Sequence, residues 1–326
     1  MMDGKQTLLR PAVTVILPTF NRLQYLRTAV DSVFAQTYDD WELIVADDGS
    51  EEETRAYLSS LAAQPRVRVL WLAHTANPGA ARNAALREAR GDYIAFLDSD
   101  DLWMPQKLEL QLAALRACPS RQWSYTAIIH INQAGEQIYA ELSPRYVYYE
   151  GKVFEHLLTS KAGIALPTVI VSRQLLQRVG GFDERQQQQE DYHLWLRLAM
   201  LCEISVLKRP LAGVRHHNDH FSSRGISFLE EKDSMLEKIQ ILVTNSHQGA
   251  AVRTARARNA ALLAAANAAA GGGDAAWRTL AESWRYSWRC AAWWVGAASV
   301  LAHIYMPAPV VRTIRERRAA RRASLP

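Results

Sequence analysis

Apolar and polar positions follow a regular pattern along the first hundred residues. Val13 to Leu17 is a β-branched run closed by Pro18, which predicts a strand. Thr19-Phe20-Asn21-Arg22 is then a loop, and Leu23, Leu26, Ala29, Val30, Val33 and Phe34 recur at helical spacing. Trp41 to Ala46 predicts a second strand, ending in Asp47-Asp48-Gly49-Ser50. Ser50 and Glu53 have the spacing of a capping box, so a helix is expected to start there. Val67 to Leu72 reads as a third strand, Ala80 to Ala89 as a helix stopped by Gly91, and Tyr93 to Leu97 as a fourth strand.

Strands and helices alternating in this way predict βαβ units and a parallel sheet. The polar clusters Thr19 to Arg22, Asp47-Asp48 and Asp98 to Asp101 each follow a strand, so they are expected to converge on one sheet edge. Beyond Pro105 the pattern predicts a helix to about Ala117 and a hairpin of Trp123–Asn132 and Gln137–Leu142. A strand at Thr168–Ser172, helices at Leu175–Val179 and Asp191–Met200, and a strand at Ile204–Leu207 follow. Arg215 to Ser223 is a polar, His-rich loop, and from Ser227 the chain turns helical and Ala-rich. Gly271-Gly272-Gly273-Asp274 breaks that stretch, which predicts two antiparallel helices around it.

At 326 residues the chain exceeds what one core holds, so a large domain with an appendage is expected, 1–226 followed by 227–326. Its 49% hydrophobic and 22% charged residues are those of a globular protein. Cys118, Cys202 and Cys290 stand far apart with no CxxC, which excludes a disulfide framework or a zinc site and fits a cytoplasmic setting. The first residues lack an apolar stretch long enough for a signal peptide. The net charge of +5 is concentrated at the end, where Arg312, Arg315, Arg317, Arg318, Arg321 and Arg322 face only Glu316. A neutral body with a basic tail excludes a nucleic-acid-binding domain and suits an anionic membrane surface. No GxGxxG or Walker loop is present, so dehydrogenase and P-loop readings fail.

The densest chemistry lies in Gly91-Asp-Tyr-Ile-Ala-Phe-Leu-Asp-Ser-Asp-Asp101. Three carboxylates after a buried strand repel one another unless a cation sits among them, and hard divalent cations favour carboxylate oxygens. A solvated acidic turn opening the next helix is the plainer reading.

The series VTVILPTFNR, VADDGS, NPGAARNAAL, GDYIAFLDSDD, GGFDE and EDYHLWLRL resembles, in that order, the inverting GT-A glycosyltransferases of family 2. The resemblance covers about Val13 to Ser223. It implies an α/β fold of GT-A (Rossmann-like) type, a mostly parallel sheet flanked by helices, with a C-terminal α-helical extension. The nucleotide-sugar half would be about 11–104 and the acceptor half about 105–226. It implies a nucleotide-diphosphate-sugar donor held by Pro18, Thr19, Phe20, Asp48, Arg82, Asp98 and Ser99, with Phe20 stacking on the base and Asp48 accepting its N–H. Mg²⁺ or Mn²⁺ would be held by Asp100, with His217 reaching the metal or a phosphate. Asp191 would be the general base, with Gly181 and Glu190 on the acceptor side. The acceptor implied is a saccharide or lipid-linked saccharide, in synthesis of a surface polysaccharide, lipopolysaccharide or glycolipid.

Other readings of single features stand beside it. Phe20 would be a core-edge aromatic, Arg82 a solvated helix residue, and Glu190-Asp191 a pair favouring a helix N-terminus. Phe-Leu-Asp98-Ser-Asp100 also resembles the nucleophile strand of haloacid-dehalogenase-type phosphatases, although three βα units precede it here. A non-catalytic scaffold is a further alternative.

Trp277, Trp284, Trp288, Trp293 and Trp294 alternate with Arg278, Arg285 and Arg289, and Cys290 to Val311 carries no formal charge. That arrangement predicts peripheral attachment to the inner face of the membrane. Packing of the uncharged run on the catalytic domain, or a span interrupted by Pro307 and Pro309, are the alternatives.

Overall fold

A computed structural model describes residues 10–140, 147–159, 162–216 and 225–305. Two compact units divide the chain, Met1–His220 and Phe221–Pro326.

The first unit opens with the expected alternation. β1 (Val13–Thr19), α1 (Leu23–Phe34), β2 (Trp41–Asp47), α2 (Glu52–Leu61), β3 (Val67–Trp71), α3 (Pro78–Glu88) and β4 (Tyr93–Phe96) follow in sequence. β3, β2, β1 and β4 lie side by side and parallel, with Thr19 opposite Asp47 and Ile16 opposite Phe96. The polar segments after β1, β2 and β4 therefore leave the sheet from one end, as the pattern predicts.

Beyond β4 the sheet is mixed. A two-residue strand β5 (Leu102–Trp103), α4 (Lys107–Ala117), β6 (Trp123–Ile131), β7 (Gln137–Ala140) and α5 (Phe154–Leu158) come next. β8 (Ile170–Ser172), α6 (Arg173–Val179), α7 (Glu190–Leu201) and β9 (Ile204–Arg215) complete the unit. The order is β3-β2-β1-β4-β8-β6-β9-β5, with β7 paired to β6. β8 runs antiparallel to β4 and to β6, whereas β9 runs parallel to β6. Leu17, Leu26, Val30, Leu43, Val45, Leu58, Leu97, Leu112 and Ile170 are fully buried members of the core.

Local differences from the sequence pattern have physical reasons. Ser50 does not cap α2; its hydroxyl accepts the Asn21 amide at 2.9 Å, and the helix starts later, with Glu51 as N-cap. Thr168 lies in a 3-10 turn, Leu166–Thr168, ahead of a shorter strand. β9 runs on to Arg215 because β6 supplies a partner along its length. The expected end of the second hairpin strand, Leu142, lies outside the described residues.

The second unit contains α8 (Ile226–Leu242), α9 (Ser246–Ala269), α10 (Gly273–Ser287) and α11 (Ala291–Tyr305). Gly271 (φ 84°) ends α9 in the left-handed conformation that glycine adopts without strain. Ala257, Ala260, Ala264, Ala276, Leu280, Trp293 and Val300 form its core. The Trp293 indole donates to Ser283 Oγ at 2.8 Å. The other tryptophans of this region remain on the surface, Trp288 at 46% and Trp294 at 51% exposure. Among the described residues no helix is long and apolar enough to cross a membrane. The basic stretch from Arg312 lies outside them.

Candidate active site

The loop after β1 builds two adjoining clusters. Phe20, 40% exposed, belongs to the first, and Arg22 to the second. Asn21 (φ 56°) fixes the loop by donating its amide to Ser50 Oγ and accepting the Glu51 amide at 2.7 Å.

In the first cluster Asp48 is buried just past β2, with its amide donating to Thr19 O at 2.9 Å. Its Oδ1 accepts from Thr75 N and Thr75 Oγ1 at 2.9 and 3.0 Å, and its Oδ2 accepts from Ala76 N at 2.9 Å. Ala76 sits at φ 52°, a conformation alanine tolerates only when its surroundings impose it. His74 stacks on Phe20 with ring centroids 4.0 Å apart. Thr19 Oγ1 is buried with no hydrogen-bond partner, and Pro18 lies half-buried opposite Ala46. A buried hydroxyl without a partner at a strand end is uncommon in a native fold and marks a place where a ligand can complete the bonding.

The second cluster surrounds Asp98 to Asp101. Asp101 N donates to Asp98 O at 3.1 Å, closing the turn around the buried Ser99. Each carboxylate of the turn meets an arginine from a different element. Arg82 Nη2, from the start of α3, donates to Asp98 Oδ1 at 2.7 Å. Arg22 Nη1 pairs with Asp100 Oδ2. Arg215, at the end of β9, donates its amide to Asp101 Oδ1 at 2.9 Å and its Nε to the Asp100 carbonyl at 2.7 Å. Asp101 thus fastens β9 to the turn and does not cap α4, whose N-cap is Gln106.

Arg82 also donates Nη1 to Glu190 Oε1 at 2.6 Å, so this buried guanidinium bridges the acidic turn and the first residue of α7. Burial opposes its charge, but Asp98 and Glu190 outweigh that, leaving it more basic than usual. It is not the solvated helix residue of the plainer reading. Burial raises Asp98, with Asp100 and Glu190 adding to the effect and Arg82 opposing it. Burial also raises Asp191 to about 7, reinforced by the Glu190 charge and opposed by the 2.6 Å hydrogen bond from the Tyr192 amide.

The turn before α7 is fastened to α3. Asn83 Oδ1 accepts the Phe182 amide at 2.9 Å, and Asn83 Nδ2 donates to Phe182 O at 2.9 Å. Gly181 (φ 70°) lies so close that a Cβ there would sit 2.6 Å from Asn83 Oδ1. The glycine is thus required both by conformation and by space.

Asp48, Asp100 and Asp191 are expected from the sequence in one cleft; the structure brings Asp98, Asp100, Arg82, Glu190 and Asp191 together. Asp48 and Phe20 occupy the neighbouring cluster. His217 lies outside the described residues. Arg22, His74 and Arg215 were passed over; the only available signal was their position just after a strand or at its end. Among the described residues no three His, Cys, Asp or Glu side chains are grouped to hold a metal ion. Asp98 and Asp100 nevertheless offer hard oxygen donors in one turn, which suits Mg²⁺ or Mn²⁺ sharing its coordination with substrate phosphates.

The family model for glycosyl transferase family 2 matches residues 14–174. A β-1,3-glucosyltransferase of Escherichia coli, acting between UDP-Glc and GlcNAc-diphosphoundecaprenol, is 33% identical over 60% of this chain and 72% of its own length. A glycosyltransferase of Rickettsia conorii is 33% identical over 65% of this chain. The chain spans about a third of the length of that protein and of a second relative from Rickettsia bellii, 34% and 30%. The fold is shared with Staphylococcus aureus TarS 1–349 in complex with UDP-GlcNAc, at TM-score 0.60 and 19% identity over 76% of this chain and 71% of that one. It is also shared with the Pyrobaculum calidifontis mannosyltransferase in complex with GDP-Man and Mn²⁺, at TM-score 0.57 and 22% identity over 91% and 88%. The fold and site define a GT-A glycosyltransferase. The chain belongs to glycosyl transferase family 2. Nothing supports the phosphatase alternative, since Asp98 follows the fourth strand of this fold and not an opening one.

Proposed function

We propose that the protein transfers a sugar, with inversion, from a UDP- or dTDP-sugar to a hydroxyl of a saccharide or lipid-linked saccharide, in synthesis of a surface polysaccharide or glycolipid. The observation that carries this reading is the buried Arg82 guanidinium, which binds Asp98 of the acidic turn at 2.7 Å and Glu190 at 2.6 Å and so sets Asp191, whose carboxyl burial raises to about 7, beside that turn. A base poised near neutrality is what activation of an alcohol needs. The acceptor oxygen attacks the anomeric carbon, and its proton passes to Asp191. The bond from that carbon to the phosphate oxygen breaks, and its electron pair leaves on the nucleoside diphosphate.

Phe20 supports the base by stacking, Asp48 faces its N–H, and Arg82 orients the diphosphate from the start of α3. Mg²⁺ or Mn²⁺ on Asp100, with Asp98 and His217 alongside, would offset charge developing on the leaving diphosphate. Glu190 and the Gly181 turn border the acceptor. The E. coli relative's polyprenol-linked acceptor favours a lipid-linked substrate here too. Exposed Trp277, Trp288 and Trp294 support peripheral attachment of the second unit to the inner membrane face.

The test is transfer from a panel of nucleotide sugars by wild type, Asp191→Asn and Asp100→Ala, alongside nucleotide binding. Asp191→Asn is expected to bind donor normally and lose transfer about 10³-fold. Near-normal turnover would remove it as the base, and full activity of Asp100→Ala in chelator would remove the metal role. Liposome sedimentation of Trp288→Ala/Trp294→Ala tests attachment; undiminished binding would exclude these side chains as the contact.

A further inference from the structure

We propose that His74 competes with the donor's nucleobase for the face of Phe20 and the carboxylate edge of Asp48 beside it, and so sets donor affinity. The inference rests on reading Phe20 and Asp48 as the base site.

The imidazole covers the ring face that a base needs there and lies against the carboxylate that the base would address. It stacks on Phe20 at 4.0 Å with 20° between the ring planes. Its Nδ1 lies 2.8 Å from the Asp48 carbonyl and 3.1 Å from Asp48 Oδ2. A carboxylate offers about four lone-pair sites. Thr75 N, Thr75 Oγ1 and Ala76 N take three of them. His74 Nδ1, whose hydrogen bond goes to the Asp48 carbonyl, lies beside the fourth. A uracil or thymine ring stacked on Phe20, with its imide N–H directed at Asp48, requires the same ring face and the space beside the same carboxylate.

Of the groups around Asp48, the imidazole is the ring that can give way at low cost. The Thr75 and Ala76 amides belong to backbone held at a left-handed Ala76. The His74 backbone is also pinned, because Gly49 approaches so closely that a Cβ there would lie 3.0 Å from His74 N and Cβ. The His74 side chain, by contrast, is 45% exposed and can rotate about χ1 into solvent. A base that brings its own N–H and its own ring replaces the stack and reaches the carboxylate edge that the imidazole screens. A base without a donor at that edge leaves the Asp48 lone pair unfilled, so His74 also favours imide bases over others.

The experiment is calorimetric binding of UDP and of dTDP to the full-length chain at fixed Mn²⁺, for wild type, His74→Ala, His74→Asn and Phe20→Ala. His74→Ala is expected to bind the preferred nucleotide roughly fivefold more tightly, by removing the competing state. Phe20→Ala is expected to bind it at least tenfold more weakly. In wild type, nucleotide should shift the His74 ring proton resonances as they leave the Phe20 ring. If Phe20→Ala binds like wild type, or if wild type binds neither nucleotide, the base-site reading itself fails. If Phe20→Ala weakens binding but His74→Ala and His74→Asn bind equally or less tightly than wild type, the base site stands and the competition is overturned. His74 would then be part of the platform.

Discussion

Arg82 and Glu190, 108 positions apart in sequence, meet at 2.6 Å, and the same guanidinium reaches Asp98 at 2.7 Å. One side chain thereby fixes the start of α7 against the end of β4. Asp191, next to Glu190, inherits its place from that bridge, in which the Glu190 charge adds to the rise that burial causes and Arg82 opposes it.

The pH dependence of transfer follows. As the proposed base, Asp191 would work only when ionised, so activity is expected to rise with pH through a limb centred near its value of about 7. Glu190→Gln removes a negative charge that raises this group, so the limb should move to lower pH by about one unit. A pH–rate profile of kcat for both proteins checks the direction.

Arg215 is a positioning residue. Besides its bonds to Asp101 and Asp100, its Nη1 donates to Asn132 O and Gln133 O at 3.0 and 2.8 Å. Lysine cannot reproduce this fork. Arg215→Lys is expected to lower kcat roughly tenfold or more while leaving the far-ultraviolet circular dichroism unchanged.

Gly181→Ala should destabilise the first unit by about 2 kcal/mol, through both the positive φ and the clash with Asn83. Denaturant unfolding measures it. Gly180→Ala, also at positive φ but with nothing near its added Cβ, should cost less.

Lys107 is fully buried with no hydrogen-bond partner for its ammonium, which lies 4.2 Å from the Trp103 ring centroid. Burial pushes its pKa well below the usual lysine range. Lys107→Met keeps the stem and removes the charge, so it is expected to stabilise by roughly 1 kcal/mol. Equilibrium unfolding at neutral pH provides the check.

The parallel half of the fold was legible because β1 to β4 are short apolar runs, each closed by polar residues. The site's acidic members were legible for the same reason, since a carboxylate just past a buried strand has little structural use. Two of the three arginine partners were not, because Arg22 and Arg215, unlike Arg82, gain their meaning from strands brought together by long-range pairing. β5 is two residues long and has no pattern of its own; it exists because Ala212 and Gly213 of β9, paired to β6 on one side, offer it their other edge. Ser50 illustrates the opposite failure, a local motif overridden when Asn21 arrived from the neighbouring loop with a competing donor.

At the opposite end of the same strands, Glu42 is buried and accepts Thr14 Oγ1 at 2.7 Å and Arg90 Nε at 2.8 Å. Burial pushes its pKa up, but the bonds from Arg90 and Thr14 outweigh that and leave it below the usual range. Its contribution to folding is therefore present above the ordinary glutamate range and fades as pH falls through the lowered value. Asp191 holds its proton more tightly than an ordinary aspartate, so the two ends of the sheet respond to acid at different points. With Asp191 as the proposed base, mild acidification would silence transfer while the Glu42 bonds hold, and stronger acid would be needed to unfasten the floor on which the chemistry stands.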